Sequence, residues 1–378
     1  MDEKYIVRDI RAKEDFKKKS FSGYKKSEVL SEYFKSCDNR KIENALHWIT
    51  DIHCSGYLED FFERIFNYIS NHIHLNSYNL PSIVWNHCEC YKNIETDTKN
   101  LQKIRNAIYE ITALIVTTDT HRKLIKKKVI KDNDFNMNKL AKMLISSTNH
   151  IPANIIKSSD PRVLTIVMNE LAYCITKHDT MQGGIQDKKV KDKEFYMDKA
   201  VYWICWIHKW ELIQKKNGGS PDCSFRKVSG VTKEDSCDII WICWSIILAE
   251  CKHRRTDTCI LQIVSLYNMY KYNFTRSKKS SKMSIIIHVL ALLILEQHNE
   301  TKISDSKIIE SVMKSNIMYS IIKKYEIKEK RVMPNMLEIQ PAKKKVEKEK
   351  KDKRTDKEIE SMNKMDMVFE IDMGRQNI

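Results

Sequence analysis

Two clusters of basic residues are the features of this sequence whose type and spacing could bind a ligand. The first basic cluster contains no acidic residue, and Lys123, Lys127 and Lys131 would form one stripe on a helix. Like charges four residues apart destabilise a helix by roughly a few tenths of a kcal/mol per pair. Because a polyanion would relieve that repulsion, we predict phosphate contacts here, with a solvated surface as the alternative. The cluster comprises Arg122, Lys123, Lys126, Lys127, Lys128 and Lys131.

The second basic cluster combines lysines with aromatic residues. Proteins that bind single strands use basic side chains for phosphates and aromatic rings for base stacking. The sequence therefore predicts a second nucleic-acid contact, unless the rings face the core and the lysines form a solvated turn. Its basic members are Lys271, Arg276, Lys278, Lys279 and Lys282, and the aromatic residues beside them are Tyr267, Tyr270, Tyr272 and Phe274.

No residue pattern indicates catalysis or a cofactor. His87–Cys90 is the most metal-like segment, but its cysteines are spaced C-x-C and no second compact pair follows. Structural zinc is commonly bound by paired C-x₂₋₄-C ligands, so we predict no metal and ordinary helix residues there. A Cys–His pair formed in space is an alternative that motifs do not reveal. The sequence also lacks a Walker A motif, and we predict a non-catalytic protein without cofactor.

The net charge supports an anionic partner. The chain of 378 residues carries 66 Lys+Arg and 50 Asp+Glu, a net charge of +16. Residues 326–378 hold 14 of the basic and 12 of the acidic residues, so +14 lies on residues 1–325. A basic folded body is typical of proteins that bind nucleic acid or, less often, anionic membranes. A genome rich in A/T codons, which favours Lys, Ile and Asn, is the competing explanation.

The elements that must position these clusters are helices. Gly and Pro number only 8 and 6, and both residues disfavour helices. Leu58, Phe61, Ile65 and Ile69 follow the i, i+3, i+4 spacing of an amphipathic helix. This pattern recurs along the chain and predicts an all-α fold. Further helices are predicted over about 197–215, 235–253, 257–273, 283–298 and 303–324.

The longest apolar runs predict buried core helices. Ile239–Ala249 and Ile285–Leu295 are about half the roughly 20 residues that a membrane span requires. The charged first residues do not form the apolar region of a signal peptide. We therefore expect a soluble, intracellular, reduced protein with buried aromatic residues such as Trp48.

Changes in composition predict two helical lobes and a tail. A Gly-Gly pair and a charged run near 181–195 suggest a boundary. The last segment is too charged to bury much surface, which predicts disorder, and its apolar end could be a docking segment. The predicted division is an N-terminal arm at 1–24, a helical domain at 25–180, a linker or loop at 181–195, a second helical domain at 196–325 and a charged tail at 326–378.

One segment resembles a known family. Residues 45–75 are similar to part of the helical, clamp-loader-like region that follows the ATPase domain of Werner-interacting/Mgs-type AAA+ proteins. The likeness spans about 30 of 378 residues and needs one gap near Ser70. It implies collar-like helix packing, not ATP hydrolysis, because Walker A and Walker B motifs are missing. The matching positions are Ala45, Leu46, His47, Trp48, Gly56, Phe61, Arg64, Ser70, Ile73 and Leu75.

The layout as a whole resembles an uncharacterised protein family of nucleocytoplasmic large DNA viruses. Lys41–Pro81 and Tyr267–Leu295 carry this resemblance, and the Lys/Ile/Asn bias fits an A/T-rich viral genome. It implies a viral protein in the cytoplasmic viral factory or the virion, with viral protein partners. We therefore expect a non-catalytic component of the replication or transcription machinery that binds nucleic acid or a nucleic-acid-bound protein complex. A virion structural or assembly protein of minor capsid or scaffold type is the alternative.

Overall fold

The computed structural model confirms the all-α class. It describes residues 5–7, 13–94, 101–120, 127–176, 186–219, 221–254, 256–295, 317–320 and 322. Within these ranges there is no strand, and the only β-type pairing is an isolated bridge between Lys19 and Lys25. The predicted tail at 326–378 lies outside the described residues.

Eleven α-helices are described with their bounds, residues 317–320 are also helical, and short 3-10 or π-helical turns separate several of the helices. The α-helices are α1 Lys26–Asp38, α2 Ile42–Cys54, α3 Leu58–Tyr68, α4 Leu80–Lys92, α5 Gln102–Thr117, α6 Met137–Met143, α7 Arg162–Thr176, α8 Gln186–Lys216, α9 Ile240–Arg254, α10 Asp257–Lys271 and α11 Met283–Leu295. The short turns are Lys13–Phe16, Ile69–Ile73, His74–Asn76, Asp132–Phe135, Asp235–Cys237 and Arg276–Lys278.

Local sequence signals explain where several helices begin. Thr256 caps α10, because its hydroxyl accepts a hydrogen bond from the Cys259 amide at 3.4 Å. Asn136 caps α6 in the same way, and Pro81 occupies the first turn of α4, where its missing N–H is harmless. These caps fix the register of the helices against the core.

The most apolar helix, α11, lies at the centre of the core. All of its residues from Met283 to Ile294 are buried, and it packs against α8 and α10. A helix that is apolar on every side is stable only when other helices surround it. The predicted burial of Trp48 is also confirmed, since that side chain is 1% exposed.

The predicted division into two domains does not match the packing. Met1–Pro334 form one compact unit, and α7, assigned to the first domain, packs against α8 and α9. Gln262 of α10 also exchanges hydrogen bonds of 3.0 Å with the backbone amide and the hydroxyl of Ser82 in α4. The chain thus packs helices from both predicted domains together.

The predicted linker at 181–195 is helical from its sixth residue onward. The helix α8 begins at Gln186, and residues 181–185 lie outside the described residues. Lys and Glu are good helix formers, so the charged run that follows the Gly-Gly pair can itself begin a helix. The loop prediction was therefore wrong for 186–195.

In the described part of the predicted N-terminal arm, the regular structure is a 3-10 turn at Lys13–Phe16, and residues 13–24 pack on the core. Phe16 and Phe21 are buried, and the Ser20 hydroxyl donates to Asp51 Oδ2 at 2.8 Å. The Ser22 amide donates to the other oxygen of Asp51 at 3.1 Å. Burial nevertheless raises the pKa of Asp51 to about 6. The arm is thus attached to α2 through a buried carboxylate.

No helix in the described ranges combines the length and the apolar character needed to cross a membrane.

Candidate functional site

The second basic cluster lies in the turn between α10 and α11, and its central lysine is buried. Lys279 is 2% exposed, and its Nζ donates to both carboxylate oxygens of Asp238 at 2.8 and 2.7 Å. Glu211 of α8 accepts a further hydrogen bond from the same ammonium. Burial alone would raise the pKa of Glu211, but Lys279 and Lys215 outweigh it and lower that pKa. The charge of Lys279 is therefore neutralised inside the protein.

Lys282 is buried without a carboxylate. It is 1% exposed, and its Nζ donates to the carbonyl oxygens of Tyr272 at 2.7 Å and Met269 at 3.3 Å. Burial lowers its pKa to about 8. This side chain closes the turn before α11 and does not reach the surface.

The outer members of the second basic cluster pair with acidic side chains. Arg276 Nη1 lies 2.6 Å from Asp222 Oδ1, and Arg276 Nε lies 3.9 Å from Asp235 Oδ1. Lys278 Nζ lies 2.8 Å from Glu63 Oε2. These two cations are half-exposed, but the protein supplies their counter-ions.

Three of the four aromatic residues of the second basic cluster belong to the core, and the fourth, Tyr267, is half-exposed. Tyr270 is 0% exposed, and its ring centroid lies 5.1 Å from that of Trp244 and 5.4 Å from that of Phe274. Tyr272 is 4% exposed and packs against Phe66 at 5.4 Å. The structure thus contradicts the predicted stacking by Tyr270 and Tyr272, whose rings are inaccessible, and the cations from Arg276 to Lys282 are buried or neutralised.

The first basic cluster has a different placement. Arg122, Lys123 and Lys126 lie outside the described residues. The following residues, Lys127–Lys131, are not helical, so the condition for a single helical stripe is not met in this part of the cluster. β-branched Val129 and Ile130 have low helix propensity, and the Asp134 carboxylate caps the next turn by accepting from the Lys131 amide at 3.0 Å.

The described lysines of the first basic cluster lie at the surface. Lys127 and Lys131 are exposed and Lys128 is half-exposed. The Lys127 Nζ donates to the backbone carbonyl of Ser280 at 2.6 Å, which ties this segment to the turn before α11. Partial burial lowers the pKa of Lys127.

Beside this segment lies an open cleft of about 180 Å³, which we call the basic cleft. It is formed by the segment before α6, one face of α8 and the start of α11, and no carboxylate lies among its lining residues. Its lining comprises Lys127, Lys128, Ile130, Cys205, His208, Lys209, Leu212, Ser280 and Met283.

Among the described residues, the ion pairs of the lysines in the basic cleft are exposed. Lys128 Nζ lies 2.9 Å from Asp198 Oδ1, and Lys209 Nζ lies 3.7 Å from Asp132 Oδ1. Both aspartates are more than half exposed. Exposed ion pairs contribute about 0–1 kcal/mol, so an anionic ligand can replace these aspartates at little cost.

A neutral histidine completes the basic cleft. Burial lowers the pKa of His208 to about 4, so its imidazole is uncharged at neutral pH. Among the described residues, no hydrogen-bond partner is found for its Nδ1. The positive charge of the basic cleft therefore comes from its lysines and not from His208.

The residues of α8 in the basic cleft were missed in the sequence analysis. Cys205, Lys209 and Leu212 share one face of α8 through their i, i+4, i+7 spacing. That spacing shows that they face the same way, but no sequence signal brings this face to a segment some 80 residues earlier. The tertiary packing alone brings this face of α8 next to the segment before α6.

The metal-like segment packs as ordinary helix residues. His87 Nε2 lies 3.0 Å from Glu110 Oε2 in α5, and burial raises the pKa of Cys88 to about 12. The described residues contain no group of three His, Cys, Asp or Glu side chains that could hold a metal ion.

Comparison with known proteins does not assign the chain to a family. No family model, no curated protein and no solved structure matches the chain. Function is therefore inferred from the placement of the residues.

Proposed function

We propose that this chain is a non-catalytic protein of a viral replication or transcription machinery, and that it binds nucleic acid or a nucleic-acid-bound protein complex through the first basic cluster. One observation carries the proposal: Lys127 and Lys131 are exposed and Lys128 is half-exposed, and the carboxylate that Lys128 pairs with, Asp198, is itself exposed. Phosphate contacts by such lysines provide affinity without sequence preference. Arg122, Lys123 and Lys126 belong to the same predicted cluster and lie outside the described residues.

The state of the buried cysteines supports a binding role over a thiol-based reaction. The thiolate is the nucleophilic form of cysteine, and catalytic sites lower its pKa. In this protein burial raises the pKa of Cys88 and Cys223 to about 12 and also raises that of Cys205 in the basic cleft. These thiols are protonated at neutral pH.

The two family resemblances support the context of the proposal. The residues that resemble the clamp-loader-like region lie in α2, α3 and the turns after α3, and Trp48 and Phe61 among them are core residues. This likeness therefore concerns helix packing. The viral context rests on the second resemblance and on the Lys/Ile/Asn bias of the sequence.

A virion structural or assembly protein is the second candidate, and one observation favours it. Val129 is 87% exposed and Leu212 is 49% exposed, both at or next to the basic cleft. Apolar side chains beside a charged surface are typical of protein–protein contacts. In this alternative the lysines bind an acidic neighbour inside the particle.

The salt dependence of binding tests the proposed function. We expect the full chain to bind a labelled duplex and a labelled single strand, with an affinity that decreases linearly on a log–log plot against salt. Each lost phosphate contact should reduce the slope by about 0.9 on duplex or about 0.7 on single strands.

A matched pair of variants locates the binding surface. Substitution of Lys127, Lys128 and Lys131 by Gln should weaken binding and reduce the slope. Substitution of the exposed arm residues Lys17, Lys18 and Lys19 by Gln removes the same charge elsewhere and should have a smaller effect. No binding at low salt, or equal effects of the two variants, would refute the proposal and favour the structural alternative.

A further inference from the structure

The lining of the basic cleft is only partly basic. Ile130, Cys205, Leu212 and Met283 contribute apolar groups to it, beside the three lysines. A site for a bare phosphate would be lined by donors, whereas this cleft offers apolar contact and positive charge together. Its ligand must therefore have an apolar part and a negative part.

The size of the basic cleft restricts the apolar part. At about 180 Å³, the cleft is smaller than the roughly 300–1,000 Å³ typical of nucleotide or cofactor pockets. It is large enough for one large side chain, such as that of leucine or phenylalanine. A peptide segment fits this limit, because it can insert one side chain and remain outside with the rest.

The charge around the basic cleft determines the rest of the ligand. Lys127, Lys128 and Lys209 line it without a carboxylate among the lining residues, and the nearby Asp198 and Asp132 are exposed. A segment that carries its own carboxylates can pair with these lysines in place of the aspartates. Positive and negative surfaces of this kind select partners by complementarity.

We propose that the basic cleft binds a short acidic segment of a partner protein. The segment inserts one apolar side chain between α8 and the start of α11, and its flanking carboxylates pair with Lys127, Lys128 and Lys209. The partner also covers Leu212 and Val129, whose side chains are otherwise exposed. This deepens the proposed function and rests on it, since it gives the chemistry of the protein partner in the nucleoprotein complex.

The test is a selection from a displayed library of random peptides on the immobilised full-length chain. The selected pool is then compared on two variants, Leu212→Glu and Leu261→Glu. Both leucines are 49% exposed on a helix, but only Leu212 lines the basic cleft. The matched variants therefore introduce the same charge at equally exposed positions.

We expect a set of peptides that bind the parent and Leu261→Glu. Their affinity for Leu212→Glu should be lower by about tenfold or more, which is a loss of about 1.4 kcal/mol in binding free energy. These peptides should carry a net negative charge around one apolar residue. If no peptide distinguishes the two variants, or if those that do are neutral or basic, the proposal is wrong.

Two further measurements keep the outcome decisive. Unfolding midpoints of both variants show whether they fold; if Leu212→Glu does not, Lys209→Glu is used with Lys227→Glu as its control. Oligonucleotide affinity is measured on the same variants. If duplex binding falls on Leu212→Glu and no acidic peptide distinguishes the two variants, nucleic acid occupies the cleft and the peptide proposal is wrong. If oligonucleotides never bind but acidic peptides do, only the nucleic-acid part of the proposed function fails.

Discussion

The turn before α11 and the segment before α6 each contain three lysines, and these lysines have very different surroundings. In the turn, Lys279 meets two buried carboxylates, Lys282 meets backbone carbonyls, and Lys278 meets Glu63. In the segment, Lys127 and Lys131 are exposed and Lys128 meets only an exposed aspartate. The local sequence is similarly basic in both places.

The difference follows from distant residues. Glu211 in α8 and Asp238 before α9 are buried beside the turn, and a buried carboxylate is costly unless a cation pairs with it. The segment before α6 has no such neighbour among the described residues that line the basic cleft. One cluster therefore stabilises the core, while the charge of the other remains available to a ligand.

The largest effect on stability should come from Lys279→Met. The substitution leaves Asp238 buried without its cation and leaves Glu211 with Lys215 as its partner, and breaking a buried pair in this way costs about 3–5 kcal/mol. Urea unfolding at neutral pH measures the loss. Adding Glu211→Gln and Asp238→Asn should recover most of it; a loss below about 1 kcal/mol in the single variant would show that the buried cluster is dispensable.

A similar loss is expected from Tyr270→Ala, because removing a fully buried aromatic ring costs about 3–5 kcal/mol. The Tyr270 hydroxyl has no hydrogen-bond partner among the described residues, so Tyr270→Phe should be neutral or slightly stabilising. Thermal and urea unfolding of both variants check this pair. A stable alanine variant that loses affinity for single strands would instead identify Tyr270 as an exposed stacking residue.

The pH dependence of stability should show the lowered pKa of Lys282. Its folded pKa of about 8 lies below the ordinary lysine value of about 10.4, so the unfolded chain binds the extra proton between these values. Parent stability should therefore rise relative to Lys282→Met as pH increases from 8 to 10, by roughly 2–3 kcal/mol. Urea unfolding of both proteins at matched pH gives the difference. A constant difference would mean that Lys282 titrates normally and is accessible.

The smallest effect is expected from Lys278→Met. Its pair with Glu63 is partly exposed, at 38% and 26%, and such pairs contribute about 0–1 kcal/mol. Urea unfolding beside Lys279→Met compares two adjacent lysines of the same turn. Equal losses of stability in the two variants would mean that burial does not determine how much each lysine contributes to the free energy of unfolding.

Periodicity in the sequence predicted the elements and much of the core. The spacing of Leu58, Phe61 and Ile65 identified a helix face, and all three are buried, because apolar periodicity reflects which side of a helix meets its neighbours. Trp48 was predicted by the same reasoning. The arm has no period, so its attachment through Ser20 and Asp51 could not be predicted.

The candidate site was predicted only in part, for a physical reason. Whether a lysine is accessible depends on its tertiary neighbours, and Glu211 and Asp238 are far in sequence from Lys279. The same limitation hid Lys209 and Leu212 of α8, which complete the basic cleft with Lys127 and Lys128. A basic run in the sequence shows that positive charge is present. The tertiary packing determines whether those side chains are buried beside carboxylates or exposed to a ligand.

We propose that the two basic clusters have different roles: the second stabilises the fold, and the first binds an anion. This proposal is tested most directly by measuring both free energy of unfolding and oligonucleotide affinity for two triple variants. Substituting Gln for Lys127, Lys128 and Lys131 should leave stability nearly unchanged and weaken salt-dependent binding. Substituting Gln for Lys278, Lys279 and Lys282 should destabilise the fold by several kcal/mol. The opposite pattern, a stable second variant that has lost its affinity, would contradict the account.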